Sequence, residues 1–134
     1  HHGLKKFDKI GCVIINCFNR SYCKKLIVQL PNQNHPLHYH EVKEETFQVL
    51  DGVLDVVIDG KQLQLHPGQT ALVQPGVWHG FSTKTGCIFE EVSTTHIKND
   101  SYYKEKIINN KKLEERKTIV DHWGRFSLRE IHDQ

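Results

Sequence analysis

Short apolar segments separated by turn signals run from residue 10 to residue 95. The segments are rich in β-branched and aromatic residues and show no helical period, which favours β-strands. Asp-Gly or Pro-Gly pairs lie at 51–52, 59–60, 67–68 and 75–76, and this regular spacing is typical of an all-β sandwich or barrel. The predicted strands are IGCVIINC, KKLIVQL, ETFQVL, VLDVVID, KQLQL, QTALVQ, HGFST and CIFEEVSTT.

The pattern changes at His96, where scattered charged residues replace the apolar segments. Residues 96–134 contain nine lysines and arginines and seven aspartates and glutamates. We interpret this part as an arm with one short helix that packs on the barrel or on a partner chain, and a solvated, partly ordered tail is the alternative. The predicted organisation is an N-terminal strand and lead-in over 1–24, a barrel over 25–95 and the arm over 96–134.

Composition and charge exclude some function classes. The chain of 134 residues is long enough for one domain with its own core. A net charge of +2 gives no argument for a nucleic-acid partner, and no apolar run approaches the roughly 18 residues of a membrane span. We therefore expect neither partner. His1 and His2 resemble the remnant of a purification tag.

The cysteines argue for a reducing compartment. Cys12, Cys17, Cys23 and Cys87 form no C-x-x-C pair, and three of them lie in apolar strand-like segments. They are expected to be reduced and to act as small apolar residues rather than as zinc ligands or redox pairs. This use of cysteine predicts a cytoplasmic protein.

The stretch HPLHYHEVKEE, residues 35–45, concentrates titratable side chains at the start of a predicted strand. His38 and His40 are two residues apart, so on a strand they share one face, about 7 Å apart along the chain. Glu45 has an odd offset and needs a turn or bulge to reach the same ion. With His79, these residues offer three imidazoles and one carboxylate, a set that suits Zn(II), Mn(II), Fe(II), Ni(II), Co(II) or Cu(II).

Two alternatives to this ligand set stay open. The histidines could be exposed strand residues, with Glu45 part of a solvated acidic run. Glu44, one residue closer to the histidine pair, could also replace Glu45 as the carboxylate ligand.

The order of these residues resembles the first motif of the cupin superfamily. That motif reads H-x-H, three or four residues, E, six residues and G, and here it is met by His38, His40, Glu45 and Gly52. A lone H-x-H would carry little weight, so the second motif decides the comparison.

The second cupin motif reads G, five residues, P-x-G-x-x-H, and a later Asn. Gly68, Gly76 and His79 occupy its glycine and histidine positions. The sequence departs from the motif with Gln74 at the proline position and Thr83 at the asparagine position, and neither is a ligand position. The resemblance covers about residues 25–95. It implies a small double-stranded β-helix, or jelly-roll barrel, with a divalent metal inside its mouth.

Two further residues are candidates for catalysis. Lys43 lies two residues before Glu45, where it could hold an anionic substrate or act as acid or base; a solvated loop lysine is the alternative. Glu90 and Glu91 interrupt an apolar strand, so one should face outward and the other inward. We favour Glu91 as the inward group and possible general base. Trp78 could wall the pocket or pack at its rim.

The stretches NRSYCKKLIVQLPNQNHPLHYHEVKEETFQVLDG and FEEVSTTHIKNDSYY are similar to cupin domains fused behind bacterial sialic-acid-type (nonulosonic acid) synthases. FEEVST also looks like the last strand of sugar isomerases of the D-lyxose isomerase type. The likeness implies a metal-binding cupin of carbohydrate biosynthesis that binds or isomerises a sugar or sugar acid. It further implies a homodimer and a synthase domain upstream of this chain.

The superfamily supports other functions, because a fold does not determine a reaction. The same ligand set serves an Fe(II)-dependent dioxygenase. A binding or dimerisation module without catalysis is the third hypothesis.

Overall fold

Two antiparallel five-stranded sheets face each other in this chain, for which a computed structural model describes residues 9–117. The elements, in chain order, are β1 (Val13–Asn19), β2 (Tyr22–Gln29), β3 (Asn34–Tyr39), β4 (Glu45–Gly52), β5 (Leu54–Ile58), β6 (Lys61–Leu65), β7 (Thr70–Val73), β8 (His79–Ser82), β9 (Cys87–Thr94), β10 (Tyr102–Tyr103), α1 (Lys106–Asn109) and α2 (Leu113–Arg116).

The chain crosses repeatedly between the sheets. Sheet I has the strand order β1-β2-β9-β4-β7, and sheet II has the order β10-β3-β8-β5-β6. Successive strands from β2 to β5 therefore alternate between the two layers, which is the winding of a double-stranded β-helix. The prediction of an all-β jelly roll is confirmed, and each of the predicted strand segments contains an observed strand.

The core lies between the sheets and follows the period of two along each strand. In β2 and β9, for example, every second side chain is buried. Phe47, Phe81 and Phe89 meet edge to face at its centre, with ring centroids 5.1 to 5.7 Å apart. The remaining buried members are Ile27, Val49, Leu54, Val56, Leu65, Ala71, Val73 and Cys87.

The turn between β4 and β5 depends on a glycine. Gly52 has φ +83°, and a Cβ added there would overlap the carbonyl oxygen of Gly86 in the neighbouring turn. Thr83 supports the same region: its hydroxyl donates to the carbonyl oxygen of Val53 at 2.8 Å and accepts from the amide of Gly86 at 3.1 Å. Thr83, which departs from the second motif, is thus a buried structural residue.

The first part of the arm packs on the barrel. β10 pairs with β3, and Ile108 of α1 is 1% exposed. Within residues 96–117 the arm contains two helices of four residues where we predicted one, and this part is not a solvated tail. The rest of the arm, with His122 and His132, and the lead-in with His1 and His2 lie outside the described residues. None of the helices in residues 9–117 has the length and hydropathy to cross a membrane.

Candidate metal centre

Four buried side chains from both sheets converge at one end of the barrel. His38 in β3 stands directly opposite His79 in β8, so their cross-strand pairing places the two imidazoles side by side. His40 follows the end of β3, and Glu45 begins β4 in the other sheet. One ligand atom from each of these residues lies within 4.8 Å of all the others, and none of the residues is more than 5% exposed.

The loop between His40 and Glu45 carries the chain from sheet II to sheet I. Asp100 fixes this loop: its carboxylate accepts hydrogen bonds from the amides of Glu41 and Lys43 at 2.9 and 3.1 Å, and from Val42 at 3.3 Å. The loop is the turn that Glu45 needed in order to reach the histidines. Sequence reasoning missed Asp100, because it lies almost 60 residues away from the loop it holds.

Each histidine of the cluster has its Nδ1 bonded to a main-chain carbonyl oxygen at 2.9 Å. The acceptors are Pro36 for His38, Asp100 for His40 and Val77 for His79. A carbonyl oxygen only accepts, so Nδ1 carries the proton and Nε2 presents a lone pair to the centre of the cluster. Backbone carbonyls orient metal-binding histidines in this way.

The arrangement of donor atoms fits a cation. His79 Nε2 lies 2.7 Å from Glu45 Oε1, and within the described residues neither atom has a hydrogen-bond partner. With the proton on Nδ1, these two atoms are both acceptors, and they repel each other unless a positive charge lies between them. Three imidazole nitrogens and one carboxylate form a donor set that first-row divalent metals accept. The group therefore has the chemistry of a divalent-metal site.

For His38 and Glu45, electrostatics favour the protonation states that a metal requires. Burial, followed by the nearby His79, lowers the pKa of His38 well below its usual value, so the ring stays neutral. Burial alone would raise the pKa of Glu45, but its close contacts with the His40 and His79 side chains and the charge of Lys43 hold this pKa well below its ordinary range. Ligands for divalent metals must be deprotonated in this way.

Lys43 and Glu91 lie beside the cluster without belonging to it. Lys43 Nζ is 3.1 Å from Glu45 Oε2 and 3.5 Å from Glu91 Oε2, and Lys25 Nζ is 3.9 Å from Glu91 Oε2. Burial, followed by the charge of Glu45, raises the pKa of Glu91 to about 7. Burial alone would lower the pKa of Lys43, but the charges of Glu91 and Glu45 raise it above its usual value. The structure thus brings both predicted catalytic residues to the metal centre.

The arm and the barrel wall complete the surroundings. Tyr103 of β10 stacks on His38 with ring centroids 5.3 Å apart, and His35 lies between Phe81, at 4.4 Å, and His38, at 4.7 Å. The sequence patterns assigned no role to His35 or Tyr103. Only the cross-strand neighbours, which a single sequence does not show, could have identified them.

The structure shows where the residues lie for which the sequence left alternatives open. Glu44 is exposed and lies outside the cluster, so Glu45 is the carboxylate that meets the histidines. Glu90 faces outward and pairs with Lys24 at 3.1 Å, while Glu91 faces the interior. Trp78 is 39% exposed and packs edge to face on Tyr39 at 4.7 Å, which makes it a rim residue.

Comparison with known proteins agrees with this geometry. Residues 26–89 match the family profile described as "Cupin domain". A search of curated protein sequences finds no match. Fold, motif order and matched segment together define a cupin-fold protein with a candidate divalent-metal centre.

Solved structures with the same fold include sugar isomerases. L-ribose isomerase of Cellulomonas parahominis with L-ribose has a TM-score of 0.70 and 14% identity, over 77% of this chain and 74% of that chain. KdgF from Halomonas sp. has a TM-score of 0.62 and 14% identity, over 66% and 83%. The cupin domain of Cnp3 from Schizosaccharomyces pombe has a TM-score of 0.59 and 12% identity, over 64% and 69%. At these identities the likeness establishes the fold.

Proposed function

We propose that this chain is a divalent-metal cupin that binds a sugar and removes a proton from the carbon next to the sugar carbonyl, as isomerases and epimerases do. His38, His40, Glu45 and His79 are the proposed metal ligands, since they form a buried mixed donor set with Nε2 lone pairs turned inward. The structural likeness to L-ribose isomerase supports a sugar ligand.

The observation that carries the catalytic part is the buried pair of Lys43 and Glu91. Neither is a proposed ligand, yet Lys43 bridges Glu91 and the proposed ligand Glu45 at 3.5 and 3.1 Å. A buried carboxyl and a buried ammonium are costly unless they are paired, and here they face the metal centre. A site that only holds a metal has no need of this second pair.

A divalent cation held by His38, His40, Glu45 and His79 would supply a Lewis acid that polarises a sugar carbonyl. Glu91 would take the proton from one carbon and return it to its neighbour, which is general acid–base catalysis. Lys43 would face the negative charge that develops on the sugar oxygen during this transfer. Lys25 would keep the Glu91 side chain in place through their ion pair.

The resemblance to cupin domains of nonulosonic acid synthases makes sialic-acid-type sugars the ligands to test first. We extend the proposal to a cytoplasmic homodimer that works with a fused synthase domain. Exposed apolar residues on the outer face of sheet I, such as Leu72 and Val92 at 51% and 47%, support a self-association surface.

The ligand set is tested by metal content. His40→Ala removes one of the proposed ligands, and elemental analysis of the purified protein should then find no bound metal while circular dichroism finds the fold intact. His66→Ala is the matched control, because His66 is outside the cluster and contacts only Gln64 and Gln69 among the described residues. Undiminished metal in His40→Ala would contradict the ligand set.

The reaction is tested with a panel of aldoses and sugar acids in D2O. Isomerisation through proton transfer would introduce deuterium at the carbon next to the carbonyl, which NMR detects. Glu91→Gln should lower turnover by roughly 10²- to 10⁴-fold with unchanged metal content. Glu90→Gln, which alters the outward neighbour, should leave turnover unchanged.

Other outcomes would overturn the catalytic part. Saturable sugar binding with no deuterium exchange would show a binding module. Oxygen consumption by the Fe(II)-loaded protein, without exchange, would show a dioxygenase.

A further inference from the structure

A small cavity lies directly outside the metal centre and is lined by residues of the arm between 96 and 117. Its volume is about 70 Å³, roughly the space of two water molecules, or of one carboxylate or phosphate group. Two of its lining residues also contact the proposed ligands: Ser101 Oγ is 3.3 Å from His40 Nδ1, and Tyr103 stacks on His38. The cavity and the metal centre therefore share a wall.

Three of the other six lining side chains are cationic. Lys98, Arg116 and Lys117 line the cavity, together with His96. Within residues 9–117, none of the three cations has a carboxylate within 4.0 Å. Arg116 lies over the Tyr103 ring at 5.0 Å, and its buried Nε has no hydrogen-bond partner among the described residues.

The layer beneath the cavity does not neutralise these cations. Lys25 donates to His96 Nδ1 at 3.2 Å, which draws its positive charge toward the cavity wall. Lys25 and Lys43 together balance the charges of Glu45 and Glu91, and the Asp100 carboxylate is bonded to the amides of residues 41–43. Clustered cations of this kind are stabilised by an anion.

We infer that this cavity, here called the cationic mouth, binds the carboxylate or phosphate of an anionic sugar whose other oxygens reach the metal centre. The inference rests on the proposed function, since it names the class of sugar that the same site takes. Arg116 supplies a planar fork that matches either anion, and Lys98 and Lys117 add point charges.

The test uses the full chain loaded with Mn(II) and three ligands with one ring: D-glucose, D-glucuronate and D-glucose 6-phosphate. Calorimetry should find that at least one of the two anions binds about tenfold more tightly than glucose. Arg116→Gln combined with Lys117→Gln should abolish that preference at unchanged metal content and glucose affinity. Arg116→Lys keeps the charge and should retain most of the preference.

The matched control removes the same charge elsewhere. Lys61→Gln combined with Lys84→Gln alters two exposed lysines that do not line the cationic mouth, and it should keep the anion preference. In addition, inorganic phosphate is titrated into the chelator-treated wild type and into the Arg116/Lys117 double variant. Phosphate should bind the wild type about tenfold more tightly than this variant.

Two results would overturn the inference while leaving sugar binding intact. One is equal affinity for all three sugars, and the other is an anion preference that survives in the double variant, which would place the anion on the metal. If no sugar binds but phosphate binding depends on Arg116 and Lys117, the anion site stands and the sugar ligand of the proposed function fails. If neither the sugars nor phosphate bind, both fail.

Discussion

At the scale of single residues, Asp100 has the widest influence on the metal centre. Its carboxylate accepts hydrogen bonds from the backbone amides of the loop after His40, and its main-chain carbonyl oxygen accepts a hydrogen bond from His40 Nδ1. Asp100→Asn would weaken the hydrogen bonds to the loop amides. An asparagine side chain has one acceptor oxygen, and its NH2 group would face backbone N–H groups, which are also donors. We expect a loss of roughly 1.5–3 kcal/mol in the free energy of unfolding of the metal-free protein.

The same variant should bind metal about 10- to 100-fold more weakly, since groups that orient a ligand contribute to affinity. Urea unfolding and a competitive chelator titration measure the two effects. Asp51→Asn is the control at an exposed position and should change neither quantity. Wild-type metal affinity in Asp100→Asn would show that the loop keeps its shape without this carboxylate.

His96 gives a pH dependence whose sign follows from its pKa. Burial, followed by the charge of Lys25, lowers the pKa of His96 from 6.5 to about 4. Between pH 6.5 and pH 4, His96 is protonated in the unfolded chain but stays neutral in the folded protein. Its contribution to stability is therefore complete above pH 6.5 and falls between pH 6.5 and pH 4.

Urea midpoints of the metal-free wild type and of His96→Gln, measured at pH 7.5 and pH 5, isolate this residue from the other titrating groups. The wild type should lose more stability than the variant on going to pH 5. Equal losses would mean that His96 is protonated as easily in the folded protein as in the unfolded chain.

Sequence reasoning identified the residues whose relation is local or follows a motif. His38 and His40 were identified by their spacing of two residues, and Glu45 and His79 by motif spacing. Asp100, His35 and Tyr103 were missed, because their roles come from neighbours in space that are distant in sequence. The Nδ1 acceptors are main-chain carbonyls, so side-chain identities could not predict them.

At the scale of elements, the turn between β4 and β5 is the most constrained. Gly52→Ala would place a methyl group against the Gly86 carbonyl oxygen and would hold alanine at φ +83°. Gly60→Ala, at φ +74° with nothing within 4 Å, carries only the backbone penalty of about 1–2 kcal/mol. We expect Gly52→Ala to destabilise the protein by clearly more than this control.

Thermal or urea unfolding of the two glycine variants measures the difference between them. Since both glycines have similar positive φ angles, that difference isolates the steric overlap with Gly86. Equal destabilisation would show that the β8–β9 turn moves aside without cost.

Strand positions could be predicted because turn pairs bounded them, whereas some other elements gave little signal. Pro36 lies inside β3 and removes a donor from the ladder, so the segment did not look like a strand. β10 has two residues, too few for any period. The two helices of the arm have four residues each, and packing on the barrel rather than propensity decides such short helices.

At the scale of the whole molecule, the proposed ligands join the two sheets. His38 and His79 belong to sheet II and Glu45 to sheet I, so a bound cation would connect them. A ligand at 100 times its Kd stabilises the folded state by about 2.7 kcal/mol. Mn(II) or Zn(II) should therefore raise the Tm of the metal-free protein by roughly 10 °C.

His79→Ala is the control for this metal effect. It removes a ligand that is 0% exposed, and its Tm should not respond to metal. A similar rise in Tm in this variant would place the stabilising ion elsewhere.

The fold class itself could be predicted from the paired motifs, whereas the charge around the cavity depends on how the arm folds back, which composition does not reveal.

The contacts of the arm with His38 and His40 also have a kinetic consequence. Because Tyr103 stacks on one imidazole and the Asp100 carbonyl oxygen holds the other, we expect an ion inside to leave when this segment detaches. The rate of metal release would then be set by detachment of the segment and not by the strength of the metal–ligand bonds. At high concentrations of a competing chelator, the rate of metal loss would therefore reach a plateau that equals the rate at which the segment opens.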